Sequence, residues 1–95
     1  MSQGVATGRE WFFYMVRCRD NSLYSGITIN VEGRLKEHNK GTGAKYTSIR
    51  RPVTLVYYER CDNVSKARKR EEEIKRWSKT KKERLVGGFP RLHPE

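Results

Sequence analysis

The sequence predicts an α+β domain: a small three-stranded antiparallel sheet flanked by helices, in the order β-β-α-β-α-α. Three observations predict it. Trp11–Val16 and Leu23–Thr28 are short runs of strand-favouring residues, split by the turn-forming cluster Arg19-Asp20-Asn21-Ser22, which is the pattern of a hairpin. A third such run, Val53–Glu59, arrives after a long connection. Two segments carry apolar residues at helical spacing, Asn30–Asn39 and a stretch from Asp62 or Asn63 to about Trp77, and they supply the flanking helices.

In chain order, residues 1–10 are polar with two glycines and are expected to be a flexible N-terminus. If the hairpin loop holds three residues, about the second most common length, position 18 faces position 22 and position 16 faces Tyr24. Tyr14 and Tyr24 then share one face of the sheet, within diagonal cross-strand reach. Tyrosines are ordinary strand residues, so the pair alone reads as packing. Asn30 is a plausible N-cap for the first helix, whose Val31, Leu35 and His38 fall at i, i+4 and i+7. Gly33 weakens that helix by about 1 kcal/mol relative to Ala. Arg34 and His38 are i, i+4 neighbours and can point at the same spot. Taken alone, His38 reads as a helix-end residue that complements the dipole.

The loop Lys40–Lys45 is cationic and glycine-rich, and the chain is expected to stay irregular to Pro52. Tyr46 within it suits either stacking or packing. The third strand, Val53–Glu59, can join beside the first, which is then central. Apolar residues on both faces of Trp11–Val16 agree with cover on both sides. Seven of the ten aromatic residues lie in these strands, which places the core there.

The second helix has an apolar stripe of Val64, Ala67 and Ile74. At 100° per residue Glu71 falls on that stripe, whereas Glu72 and Glu73 point away from it. A carboxylate on the inward face of a helix must be paired, protonated or bound to a metal, because an unpaired buried charge is costly. The stripe is expected to face the sheet where Tyr14, Tyr24 and Arg34 converge. Thr80-x-x-Glu83 has the spacing of a capping box opening a short last helix. Gly87-Gly88 ends it, and 87–95 is expected to be a flexible tail.

Composition points to a partner. Ninety-five residues suit one domain, and 21 Lys and Arg against 11 Asp and Glu give a net charge of +10. Ser65–Arg84 alone holds ten Lys and Arg against four Glu, a net of +6. Such an excess fits a polyanion, nucleic acid above all. No segment is long and apolar enough to span a bilayer and no signal pattern opens the chain, so a cytoplasmic location is expected. Cys18 and Cys61 end up at opposite ends of an antiparallel sheet, too far apart for a disulfide. They are expected to be free thiols, and the spacing does not suit a zinc site.

Hairpin, arginine-bearing helix, third strand and glutamate-bearing helix, in that order, resemble the GIY-YIG endonuclease superfamily, especially its small stand-alone bacterial members. The first family motif falls on Phe12-Phe13-Tyr14 and the second on Tyr24-Ser25-Gly26. The family arginine matches Arg34, ten residues after Tyr24, and the histidine one turn later matches His38. The family glutamate matches Glu71, preceded by Ala67 and followed by Ile74-Lys75. The likeness covers Trp11 to Val86, so 11–86 is expected to be the nuclease-like domain. One departure is that many relatives carry a basic residue just after the second triplet, where this chain has Ile27-Thr28.

The resemblance implies hydrolysis of a nucleic-acid phosphodiester with one divalent cation, Mg²⁺ or Mn²⁺, held by Glu71. Arg34 would donate to the phosphate, and Tyr24 would accept a proton from water with Tyr14 or His38 assisting. A free tyrosine, with a pKa of about 10, is a poor base at neutral pH, and nearby positive charge would favour its phenolate. Lys40, Lys45, Arg68, Lys75, Arg76 and Lys79 would hold the nucleic acid, DNA ahead of RNA. No small-molecule cofactor and a monomeric state are expected. Two rival readings are a non-catalytic nucleic-acid-binding module on the same fold and a basic adaptor docking on a ribosome or acidic protein. Glu71 separates them, since a mere binder has no reason to put a carboxylate on the inward stripe.

Overall fold

The computed structural model describes residues 10–89; residues 1–9 and 90–95, which carry most of the expected flexible termini, lie outside the described residues. Strands β1 (Trp11–Arg17), β2 (Leu23–Thr28) and β3 (Thr54–Cys61) form one antiparallel sheet in the order β2-β1-β3. This is the expected α+β architecture with β1 central. The hairpin has the expected register, with Val16 opposite Tyr24 and Tyr14 opposite Gly26. Cys18 N donates to the Ser22 carbonyl at 2.8 Å, closing a three-residue loop. Asn21 takes the left-handed conformation in that loop, φ 73°, which Asn tolerates better than most residues.

Alternation along β1 divides the core in two. Phe13 and Met15 face one side with Tyr57 and Cys61, where Ala67 and Ile74 of helix α3 (Val64–Lys75) pack on them. Tyr14 and Val16 face the other side with Tyr24 and Leu55, beneath Leu35 of helix α1 (Val31–Lys40). The stripe on α3 therefore faces the sheet as its periodicity requires, but it covers the face opposite the two tyrosines. Helical phase decides which side of a helix meets a sheet. It carries no information about which side of the sheet is met, and the expected convergence is corrected on this point.

Local chemistry fixes the helix starts. The Asn30 side chain accepts from Gly33 N at 3.0 Å and the Asn63 side chain from Lys66 N at 2.9 Å, each satisfying a donor that the first helical turn leaves unpaired. A short helix, α2 (Lys45–Ser48), occupies part of the stretch expected to be irregular. Helix α4 (Lys79–Gly87) is capped by Ser78, which accepts from Lys81 N at 3.1 Å, so Thr80 lies inside the helix and not at its cap. Glu83 does not reach back to a cap. Its carboxylate takes both ends of the Arg17 guanidinium at 2.7 Å and 2.7 Å, which fastens α4 to the end of β1.

A second paired guanidinium ties α3 to β3, with Arg70 donating to Glu59 at 2.8 and 3.3 Å. Phe89 sits 5.0 Å from Tyr57 and 5.2 Å from Tyr58, centroid to centroid, so the packed unit extends past Gly88. Tyr58, placed among the core aromatics by its strand position, is exposed. Cys18 and Cys61 are both buried and free, Cys61 opposite Trp11 at the far end of β1 from Cys18. Among the described residues no helix is long and apolar enough to cross a membrane.

The Arg17 guanidinium holds the Glu83 carboxyl down at about 2, against an ordinary value of 4.5. A depressed carboxyl contributes stability that is full above its unfolded value and is lost as pH falls through the folded one. Folding stability should therefore drop between about pH 4.5 and pH 2. Glu83→Gln should lose less over that window than the wild type, as urea unfolding at both ends of it would show. Equal losses in both proteins would contradict the pairing.

Candidate active site

The tyrosine face of the sheet carries a buried polar chain. Tyr14 is 2% exposed, and His38 and Thr47 are fully buried. The Tyr14 hydroxyl lies 2.7 Å from His38 Nε2, and His38 Nδ1 lies 2.7 Å from Thr47 Oγ1. Thr47 Oγ1 in turn donates to the Ala44 carbonyl at 3.2 Å. A hydroxyl has one proton, so Thr47 must accept from His38 Nδ1–H. Nε2 is then the bare nitrogen and accepts from Tyr14. Arg34 Nε completes the chain, donating to the Tyr14 oxygen at a long 3.4 Å.

Electrostatics agree with that direction. Burial pushes the Tyr14 phenol up to about 12, outweighing the opposing influence of Arg34. Burial, and then the positive charge of Arg34, push His38 below its ordinary 6.5. Phenol and neutral imidazole are thus the resting forms at neutral pH. The rest of the Arg34 guanidinium is anchored on the Gly43 carbonyl at 3.0 Å and on Glu37 at 3.0 Å. Two of its five N–H groups remain for a ligand.

Two glycines make room for this chain. A Cβ on Gly26 would stand 2.7 Å from the Tyr14 hydroxyl, so the phenol can lie across edge strand β2 only because position 26 has no side chain. A Cβ on Gly43 would meet the His38 backbone at 2.9 Å. Gly43 and Thr47 were not singled out from the sequence, since no periodicity links His38 to a residue beyond a glycine loop.

Tyr24 packs beside the same histidine, its ring edge-on to His38 at 5.3 Å and stacked on Tyr46 at 5.8 Å. Among the described residues its hydroxyl has no hydrogen-bond partner. Tyr46, open to two readings from sequence, is a packing residue: Tyr24 stacks on it and the Arg50 guanidinium lies 3.8 Å over its ring.

Glu71 approaches from the other side of the sheet. The Tyr14 hydroxyl reaches across β2, the strand on which α3 also packs, and the negative charge of Glu71 adds to the rise of the Tyr14 phenol. Its side chain is 22% exposed, against 55% for Glu73, and its ionic partner is Lys75 at 3.5 Å. Glu72 is exposed, and Glu73 pairs with Arg70 at 3.1 Å, so the angular distinction among the three glutamates holds. Among the described residues no group of three or more His, Cys, Asp or Glu is arranged to hold a metal. One carboxylate in a half-buried position fits Mg²⁺ or Mn²⁺ of the kind that keeps several waters and takes substrate phosphate oxygens. It does not suit a cation needing a full protein cage.

The six cations expected to hold nucleic acid are all exposed but belong to two groups. Lys40 and Lys45 flank the glycine loop on the α1 side. Arg68, Lys75, Arg76 and Lys79 lie in α3, α4 and the turn between them, with Lys79 also bonded to Glu83 at 3.2 Å.

Known proteins are similar to this chain. The family model described as the GIY-YIG catalytic domain matches residues 10–84. A UPF0213 protein of Staphylococcus haemolyticus is 52% identical over 75 residues, 79% of this chain and 92% of that one. Among solved structures, the UPF0213 protein BH0048 of Bacillus halodurans is 40% identical with a TM-score of 0.54, over 82% of this chain and 83% of that one. Protein EF2693 of E. faecalis is 38% identical with a TM-score of 0.60, over 94% and 97%.

The two tyrosines should separate in unfolding experiments. Tyr14→Phe leaves the buried His38 Nε2 without a partner and should cost about 1–3 kcal/mol. Tyr24→Phe removes a hydroxyl without a protein partner and should change stability by less than about 0.5 kcal/mol. Urea titration of both variants checks this, and equal losses would refute the buried bond between Tyr14 and His38.

Proposed function

The chain belongs to the GIY-YIG catalytic-domain family, and from that premise we propose that it is a metal-dependent endonuclease that hydrolyses nucleic-acid phosphodiester bonds, DNA ahead of RNA. It would act in the cytoplasm as a monomer, without a small-molecule cofactor. The observation that carries the reading is the meeting of Tyr14, Tyr24, Arg34 and His38 on one face of the sheet, with Glu71 near enough for its charge to add to the rise of the Tyr14 phenol.

Roles follow from what each group has left to offer. Tyr24, whose hydroxyl is uncommitted, takes a proton from the attacking water as its phenolate. Arg34 directs its two remaining N–H groups at the phosphate, whose charge they stabilise. Tyr14 and His38 stay neutral and hold Arg34 and the Tyr24 ring in register. Glu71 is the protein ligand for Mg²⁺ or Mn²⁺, and the bound cation would neutralise charge on the phosphate and leaving oxygen. Lys75 must release Glu71 for this, which is an inexpensive change because exposed ion pairs contribute little. Lys40, Lys45, Arg68, Lys75, Arg76 and Lys79 would follow the phosphate backbone.

Labelled DNA and RNA of single-stranded, duplex and branched form, with Mg²⁺ or Mn²⁺, test the reading. The wild type should cut at least one of them. Glu71→Gln should abolish cleavage yet bind as tightly as the wild type or tighter, because a negative charge is lost. Glu72→Gln and Glu73→Gln should cut nearly as the wild type does. Cleavage that survives in Glu71→Gln, or no cleavage by the wild type of any substrate, would leave the non-catalytic binding module as the better account.

A further inference from the structure

Among the described residues Tyr24 has no hydrogen bond to aim its hydroxyl, so its direction depends on what holds its ring. One neighbour is His38, already fixed by Tyr14 and Thr47. The other is Tyr46, whose ring lies nearly parallel to that of Tyr24, 19° between planes. Tyr46 is itself 38% exposed on a helix of four residues, a weak platform unless something secures it. Arg50 does so in two ways: its guanidinium lies 3.8 Å over the Tyr46 ring, and its NH1 donates to the Tyr46 carbonyl at 2.8 Å. The Tyr46 ring is thus held by two neighbours, the Arg50 guanidinium over it and the near-parallel Tyr24 ring with its centroid 5.8 Å away.

Arg50 is tied down in turn by the hairpin loop. Its Nε donates to Asp20 Oδ2 at 3.0 Å, and its carbonyl accepts from Arg19 N at 2.9 Å. Asp20 accepts from Ser22 N at 3.1 Å, a turn contact that holds the carboxylate in place. A continuous support thus runs from the loop that joins β1 to β2, through Arg50 and Tyr46, to the ring of Tyr24 on β2 itself.

We propose that Arg50 and Tyr46 are positioning residues for Tyr24: anchored on Asp20, the Arg50 guanidinium presses Tyr46 against the Tyr24 ring and so directs its hydroxyl. The proposal rests on the reading of Tyr24 as the proton acceptor. Its structural half, the fixing of a ring, can be measured without any cleavage. Arg50 is read here as a support and not as one more phosphate contact, because Asp20 and the Tyr46 carbonyl already engage its Nε and NH1.

The test uses Tyr46→Leu, Arg50→Leu, Arg50→Lys and Tyr46→Phe. Ring signals of Tyr24 in ¹³C-tyrosine-labelled free protein should shift and average in the first three variants and stay as in the wild type in Tyr46→Phe, which keeps the stacked ring. At saturating nucleic acid, turnover should fall about tenfold to a hundredfold in the first three, the scale expected when a reacting group is misplaced by about 1 Å, and should hold within about twofold in Tyr46→Phe. The slope of log K against log[salt] should be unchanged throughout. A slope reduced by about one in Arg50→Leu, with turnover intact, would make Arg50 a phosphate contact and overturn the proposal. Unaltered Tyr24 ring signals in Arg50→Leu and Tyr46→Leu would overturn it too. If the wild type cuts nothing, the catalytic reading fails while the ring signals still decide the clamp.

Discussion

The buried chain of hydrogen bonds from Arg34 through Tyr14, His38 and Thr47 to the Ala44 carbonyl is the constraint on which the rest of the site depends. Its three middle members, Tyr14, His38 and Thr47, are buried, and one of them left unpartnered would cost about 1–3 kcal/mol. The chain is satisfied in only one direction, because Thr47 spends its single proton on Ala44 and thereby sets the imidazole tautomer. That direction locks α1, the glycine loop and β1 together. It also demands two positions without side chains, Gly26 under the phenol and Gly43 against the His38 backbone.

A small sheet with helices on both faces poses a difficulty for a site built from both. Tyr14 and Glu71 start from opposite sides. The phenol leans over Gly26 on the edge strand, and the charge of Glu71 adds to the rise of its pKa. The bidentate pairs Arg70–Glu59 and Arg17–Glu83 lie on the helical side. They attach α3 and α4 to β3 and β1, the two strands that do not carry the gap.

Much of this was legible in the sequence. The turn cluster Arg19–Ser22 gave the hairpin register, side-chain amides at Asn30 and Asn63 marked two helix starts, and the 100° periodicity separated Glu71 from its two neighbours. What was hidden follows from the same physics. Periodicity has no term for which face of a sheet a helix will cover, so α3 was expected on the tyrosine side. The capping-box spacing at Thr80 and Glu83 was outcompeted by Ser78, whose hydroxyl serves as cap, while Glu83 found a closer partner in Arg17, which only the tertiary fold brings near. Thr47 and Arg50 act through contacts across a loop, and neither has a local pattern that would distinguish it. Burial of Tyr14, whose desolvation outweighs the nearby arginine, also has no local sequence signal.

The central claim is that Glu71 holds the cation on which cleavage depends. Titrating ¹⁵N-labelled protein with Mn²⁺ tests it directly, because the paramagnetic ion broadens only nearby signals. The account predicts broadening centred on Glu71 and spreading to Gly26, Tyr24 and Arg34, and its loss in Glu71→Gln. Broadening centred on Glu72, Glu73 or Asp62, or a pattern that survives in Glu71→Gln, would contradict it.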